Sequence, residues 1–227
     1  MTLLLAIFWI LVISAFTVGA SWYVKKYDSV DALLALYVTL CIAGSILASK
    51  TIAFDFGITT LFAPGAVLIF SVTFLLTDIV NERFGRKEVQ RMIWLAFFAQ
   101  VAFVIFSYLV LQATPAPFFT NQAAFEAVLG SVPRLVIAGL IAFLISENLD
   151  AYLYQWFRTL TGGKHLWMRN AFSSLPSMLI DSTVFVTLAF FGVMPIFPLI
   201  IGLTVTKWLV GVVDIPFMYA ARAALSK

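Results

Sequence analysis

The feature that most constrains this chain is a pattern repeated along its length: long apolar runs, separated by short segments in which the charged residues gather. A bilayer core about 30 Å thick is crossed by roughly 20 residues of helix, and lipid offers the backbone no hydrogen-bond partner, so each run must be helical. The pattern predicts an all-α polytopic membrane protein with spans over 3–24, 30–49, 64–81, 92–112, 133–157, 170–192 and 199–222. Composition agrees: 63% of residues are hydrophobic and 11% charged, with a mean hydropathy of +1.04, against roughly half and a quarter in a soluble domain. A soluble fold, disorder, a coiled coil and nucleic-acid binding are excluded, and the surrounding partner is membrane lipid. The single Cys41 excludes a disulfide framework and a cysteine-based metal site. No basic residue precedes the first run, which is too long for a signal peptide and ends in Trp22-Tyr23-Val24-Lys25-Lys26, so it is expected to be retained as a helix.

The basic residues sort by side. Lys25, Lys26, Arg83, Arg86, Lys87, Arg91, Arg158, Lys164, Arg169, Arg222 and Lys227 fall on one side of the predicted spans, and only Lys50 and Arg134 on the other. The positive-inside rule then predicts a multi-pass protein of the cell membrane, with the N-terminus outside and the C-terminus cytoplasmic, a parity that needs an odd number of spans. Gly57 to Gly65 reads as a short, partly polar outer segment, and Thr114-Pro115-Ala116-Pro117 opens an outer loop of about 20 residues; either could cap a cavity. No linker divides the chain. Asp78 after Leu-Leu-Thr in span three and Asp181 after Leu-Ile in span six hint at an inverted repeat of the kind transporters use.

An ionisable group inside a transmembrane helix costs about 2.5–3.5 kcal/mol on insertion scales, so each needs a partner, water or a task. Asp181 is the sharpest case, near the middle of span six with Ser174 and Ser177 on its stripe. Lys207 and Asp214, seven apart on the last span with Gly211 between, share a face as an ion pair or as ligand contacts. Glu147, Asp150 and Tyr154 align on span five, where Arg158 or Arg169 could neutralise the acids. Asp78, Asn81 and Glu82 repeat the pattern in span three, beside a basic turn that could solvate them in salt bridges. Arg134 reads most simply as an interface residue that snorkels, and His165 stands alone in a loop. One loop histidine cannot build a hydrolytic metal site or a Ser–His protease, and no glycine-rich phosphate loop is present, so neither an enzyme nor an ATPase is expected.

Several of these residues occur in motifs. Phe74 to Lys87 reads Phe-Leu-Leu-Thr-Asp-Ile-Val-Asn-Glu-Arg-Phe-Gly-Arg-Lys, and Glu147 to Arg158 reads Glu-Asn-Leu-Asp-Ala-Tyr-Leu-Tyr-Gln-Trp-Phe-Arg. Arg169-Asn170-Ala171-Phe172-Ser173-Ser174, Asp181-Ser182-Thr183, and Lys207 with Pro216-Phe217-Met218-Tyr219 follow in order. This succession, over about residues 30 to 222, resembles the queuosine precursor transporter family, the vitamin uptake transporter group. The resemblance implies a six-helix core in residues 30–227, similar in plan to the substrate-binding components of energy-coupling-factor transporters. Residues 1–29 lie outside the resemblance and are expected to form an additional N-terminal transmembrane helix. It also implies uptake of a 7-deazaguanine such as preQ0 or preQ1, or a related nucleobase, without a cofactor. The alternatives are a binding component that needs a separate ATPase module, and a membrane enzyme or structural protein. Two positions depart from the family pattern: Glu147 stands where an amide is expected, and Met178 where an amide usually precedes the Asp-Ser/Thr pair.

A guanine-like base presents adjacent N–H donors that a carboxylate accepts, beside a carbonyl that takes a donor, and its faces stack on aromatic rings. Asp181 or Glu147 fits the first role and Lys207 or Asn170 the second, with Phe185, Trp208 and Tyr154 as aromatic candidates. The expected substrate-binding set is Asp181, Lys207, Glu147, Asp150, Asn170, Ser174, Asp78 and Asp214, between spans three, five, six and seven. Glu147, one turn from Asp150, is also the candidate for proton coupling.

Overall fold

The computed structural model describes residues 3–55, 57, 59–160 and 166–225. Among them are eight helices and one β-hairpin: α1 Leu3–Tyr27, α2 Asp31–Leu47, β1 Thr51–Asp55, β2 Thr60–Pro64, α3 Val67–Phe84, α4 Arg86–Gln112, α5 Gln122–Leu129, α6 Val132–Leu160, α7 Leu166–Phe190 and α8 Ile196–Leu225. The seven long helices fall on the seven predicted spans, and the chain is an all-α polytopic membrane protein with a small hairpin set into it. By length and apolarity alone, Ile7–Tyr27, Arg86–Gln112, Gln122–Phe157 and Ile196–Val213 are sufficient to cross a bilayer. The apolar part of α2 is shorter, and α3 carries Asp78, Glu82 and Arg83 within its 18 residues.

Helix ends follow the local sequence. Asp28 follows α1 with φ of 47°, a left-handed conformation that Asp tolerates, and its amide donates to the Val24 carbonyl. The Asp28 carboxylate then pairs with Arg83 at 2.9 Å, tying the α1–α2 turn to the end of α3. Gly85, at φ of 85°, breaks α3 from α4 in one residue, a conformation that costs glycine no steric clash.

The hairpin pairs β1 with β2 antiparallel, Thr51 opposite Pro64 and Asp55 opposite Thr60. The polar segment read from sequence at 57–65 meets β2; β1, at Thr51–Asp55, precedes it and carries the strand pairing that reading lacked. Non-helical backbone set into a helix bundle must find cover from protein or water, and here protein supplies much of it. Phe54 and Ala63 are buried in one core cluster with Leu135 of α6, Val186 and Phe190 of α7, and Leu199 and Leu203 of α8. The Phe62 backbone lies so close to Gly202 that a Cβ there would stand 2.6 Å from the Phe62 nitrogen. A second core cluster joins α1 through α4, with Ile13, Val24, Leu33, Leu75, Val80 and Met92 at its centre. Helix α1 is packed into this cluster, and Trp9 Nε1 donates to the Leu68 carbonyl of α3 at 2.8 Å.

Candidate functional site

Most interior hydroxyls are spent locally. Thr17, Ser182 and Thr206 each donate to the carbonyl four residues back, which satisfies the group and removes it from ligand chemistry. The charged groups have no such escape and must find one another.

Lys207, eleven residues into α8, is about 16 Å along the helix axis from Ile196. Its ammonium donates to Oδ2 of Asp181, in the middle of α7. The Lys207 side chain is 6% exposed and that of Asp181 20%, so the pair is largely withdrawn from solvent. The Ser146 hydroxyl of α6 lies 3.3 Å from Asp181 Oδ1 and 3.1 Å from the Phe143 carbonyl, sharing its proton between them. Beneath the ammonium is the face of Phe70 of α3, with Nζ 4.8 Å from the ring centroid, within cation–π range. Four helices thus deliver a carboxylate, an ammonium, a hydroxyl and an aromatic face to one point.

Pro176 lies within α7 five residues before Asp181. Having no N–H, it leaves the Phe172 carbonyl without its usual helical donor. Ser177 is buried and Ser174 half-buried on the same helix.

The other candidates spread around this centre. Glu147 adjoins Ser146 and is within electrostatic reach of Asp181, Asp150 and Arg86, and of Tyr37 on α2. One Asp150 carboxylate oxygen is buried without a hydrogen-bond partner among the described residues. Asp78 is exposed, two turns along α3 from Phe70. The sequence places Lys207 beside Asp214, but the partner the structure gives Lys207 is Asp181; the side chains of Asp214 and Asn170 lie outside the described residues. The basic turn after α3 is tied by Arg83 to Asp28. Arg134 does more than snorkel: its Nε donates to the Leu188 carbonyl at 2.8 Å and its Nη2 to the Phe191 carbonyl at 2.7 Å, capping α7.

Sequence reasoning missed Ser146 and Phe70. Ser146 adjoins Glu147, so the span-five stripe passed within one residue of it; Phe70 carried no signal among 23 phenylalanines. Of the aromatics named from sequence, Phe185 packs edge-on against Phe190 in the hairpin core. Trp208 is 36% exposed on α8, and the Tyr154 side chain is outside the described residues.

The fold is thus a bundle of apolar helices with a largely buried ion pair set on an aromatic face. Residues 64–221 match the family described as "Putative vitamin uptake transporter". A protein of Bacillus subtilis (strain 168) named "Probable queuosine precursor transporter" is 31% identical over 159 residues, covering 68% of this chain and 69% of its own length. The chain belongs to this transporter family. No solved structure matches it.

Proposed function

We propose that this protein imports a 7-deazaguanine precursor of queuosine, preQ0 or preQ1, across the cell membrane, with its N-terminus outside and C-terminus cytoplasmic. Residues 30–227 are the transporter unit and 1–29 a supplementary helix. The observation that carries the reading is the buried Asp181–Lys207 pair over Phe70. Along its edge a guanine-like base presents an amino group, a ring N–H and a carbonyl oxygen, in that order. A carboxylate accepts from the first two and an adjacent ammonium donates to the third, so the paired charges are complementary to the whole edge. The two groups satisfy each other, which avoids the cost of an unpaired buried charge. On binding, each exchanges part of that interaction for the base.

Ser146 steadies the carboxylate, and Phe70 offers a face for stacking. Glu147, within electrostatic reach of Asp181 and of Asp150 one turn on, would meet the amino group. Asp78, Ser174, Asn170 and Asp214 belong to the same transport path as polar positions of α3, α7 and α8.

The test is calorimetric binding of preQ0, preQ1 and guanine to the purified chain, followed by uptake into proteoliposomes containing this chain alone. The reading requires a deazaguanine to bind and to accumulate or exchange. Binding without uptake until an ATPase module is added would make the protein a binding component; no binding of any of the three would remove the nucleobase reading.

A further inference from the structure

One buried hydroxyl is unaccounted for beside the ion pair. Thr204 of α8 is 3% exposed, and its Oγ1 has no hydrogen-bond partner among the described residues. Among the described residues it shares this with Ser21 of α1, whereas Thr17, Thr39, Ser182, Thr183 and Thr206 all back-bond to the carbonyl four residues earlier. An unmade hydrogen bond at a buried hydroxyl costs about 1–3 kcal/mol, and such a group in a binding protein marks a place where a partner arrives. Thr204 precedes Lys207 by three residues, so the two share a face one helical turn, about 5 Å, apart. One turn to the other side stand Val210 and Gly211, which have no polar side chain.

We propose that Thr204 is the residue that reads the 7-substituent of the substrate, and that it selects the neutral nitrile over the protonated aminomethyl group. The inference rests on the deazaguanine reading above. With the amino group and ring N–H on Asp181 and the carbonyl oxygen on Lys207, the next group along the perimeter of the base is the substituent on C7. It projects beside the carbonyl oxygen, next to the ammonium. Thr204 is the neighbouring polar group at that distance on α8. Its hydroxyl donates to a nitrile nitrogen, and no proton transfer or bond rearrangement is involved. A protonated aminomethyl group in the same place would lie against the Lys207 ammonium in a site withdrawn from water, where like charges repel strongly.

The experiment is isothermal titration of the full-length protein, wild type and Thr204→Val, with three probes: 7-cyano-7-deazaguanine, 7-aminomethyl-7-deazaguanine and 7-deazaguanine without a substituent. Valine keeps the shape and removes the hydroxyl. The wild type is expected to bind the cyano compound at least tenfold more tightly than the aminomethyl compound. Thr204→Val should weaken the cyano compound about three- to tenfold, the range of one hydrogen bond, and leave the unsubstituted compound within twofold. The melting temperature of the ligand-free variant should not fall, because no existing bond is removed. Equal effects on cyano and unsubstituted compounds, or none on either, overturn the role of Thr204. Equal or tighter binding of the aminomethyl compound by wild type overturns the charge selection. If wild type binds none of the three, the deazaguanine reading itself fails and this inference with it, an outcome distinct from the other two.

Discussion

Replacing Asp181 with Leu strands a buried ammonium. Removing one partner of a buried ion pair costs about 3–5 kcal/mol because the remaining charge is left uncompensated, whereas replacing both with apolar groups of similar size is often neutral or stabilising. The 20% exposure of the Asp181 side chain and 6% of Lys207 put the single substitution at the lower end, about 3 kcal/mol, since water reaches part of the pair. For a protein of this length that is a fall in melting temperature on the order of 6–12 °C. The double variant Asp181→Leu with Lys207→Met should return to within about 1 kcal/mol of wild type. Ligand binding should not return with it: the base edge loses two acceptor contacts in the single variant and a charged donor as well in the double, each worth about 1.5–3 kcal/mol, so affinity falls at least about a hundredfold in both. The assay is thermal unfolding in detergent alongside calorimetric titration with a 7-deazaguanine. A double variant as unstable as the single would show that the two charges are not energetically coupled. A double variant that binds as well as wild type would remove the pair from the ligand site.

Arg134→Ala and Arg134→Lys should both lower the melting temperature by a few degrees, because a lysine has one donor centre and cannot reach the Leu188 and Phe191 carbonyls together; a lysine variant as stable as wild type would contradict the two-carbonyl cap. Gly202→Ala should lower stability and increase protease cleavage in residues 51–64, since the added methyl meets the Phe62 backbone. Gly19→Ala, with open space around it, should be neutral or slightly stabilising; equal behaviour of the two would refute the close approach. In a Cys41→Ala background, a cysteine at Asn121 should label from outside intact cells and one at Lys87 only after permeabilisation, and the reverse pattern would invert the orientation.

The helices were legible because lipid leaves an apolar run of this length few alternatives. Their ends were less so. Span 92–112 was read from its apolar residues, yet α4 begins at Arg86, because helix continues through a charged turn whose side chains remain solvated. The hairpin escaped because its pairing depends on the enclosure given by α6, α7 and α8, a tertiary condition with no local pattern. Asp181 and Lys207 were legible individually, each an ionisable group in an apolar stretch. Their meeting was not: they stand 26 residues apart on different helices, and Asp214 on the Lys207 face offered a nearer partner in sequence. Arg134 was read as an interface residue because helix-end carbonyls it caps, 54 and 57 residues away, leave no trace in the local sequence.

The hairpin also bears on how this protein fits its bilayer. Helix α2 has 17 residues, a length of about 25 Å, and α3 has 18, about 27 Å, both short of a hydrocarbon core about 30 Å thick. Strands β1 and β2 stand in the chain between these two helices, and their backbone relies on the cover that α6, α7 and α8 give it. Hydrophobic thickness would therefore act on this fold unevenly around its perimeter: α4, of 27 residues, and α8, of 30, are long enough to tilt in a thicker bilayer, whereas α2 and α3 are matched only if the bilayer thins beside them.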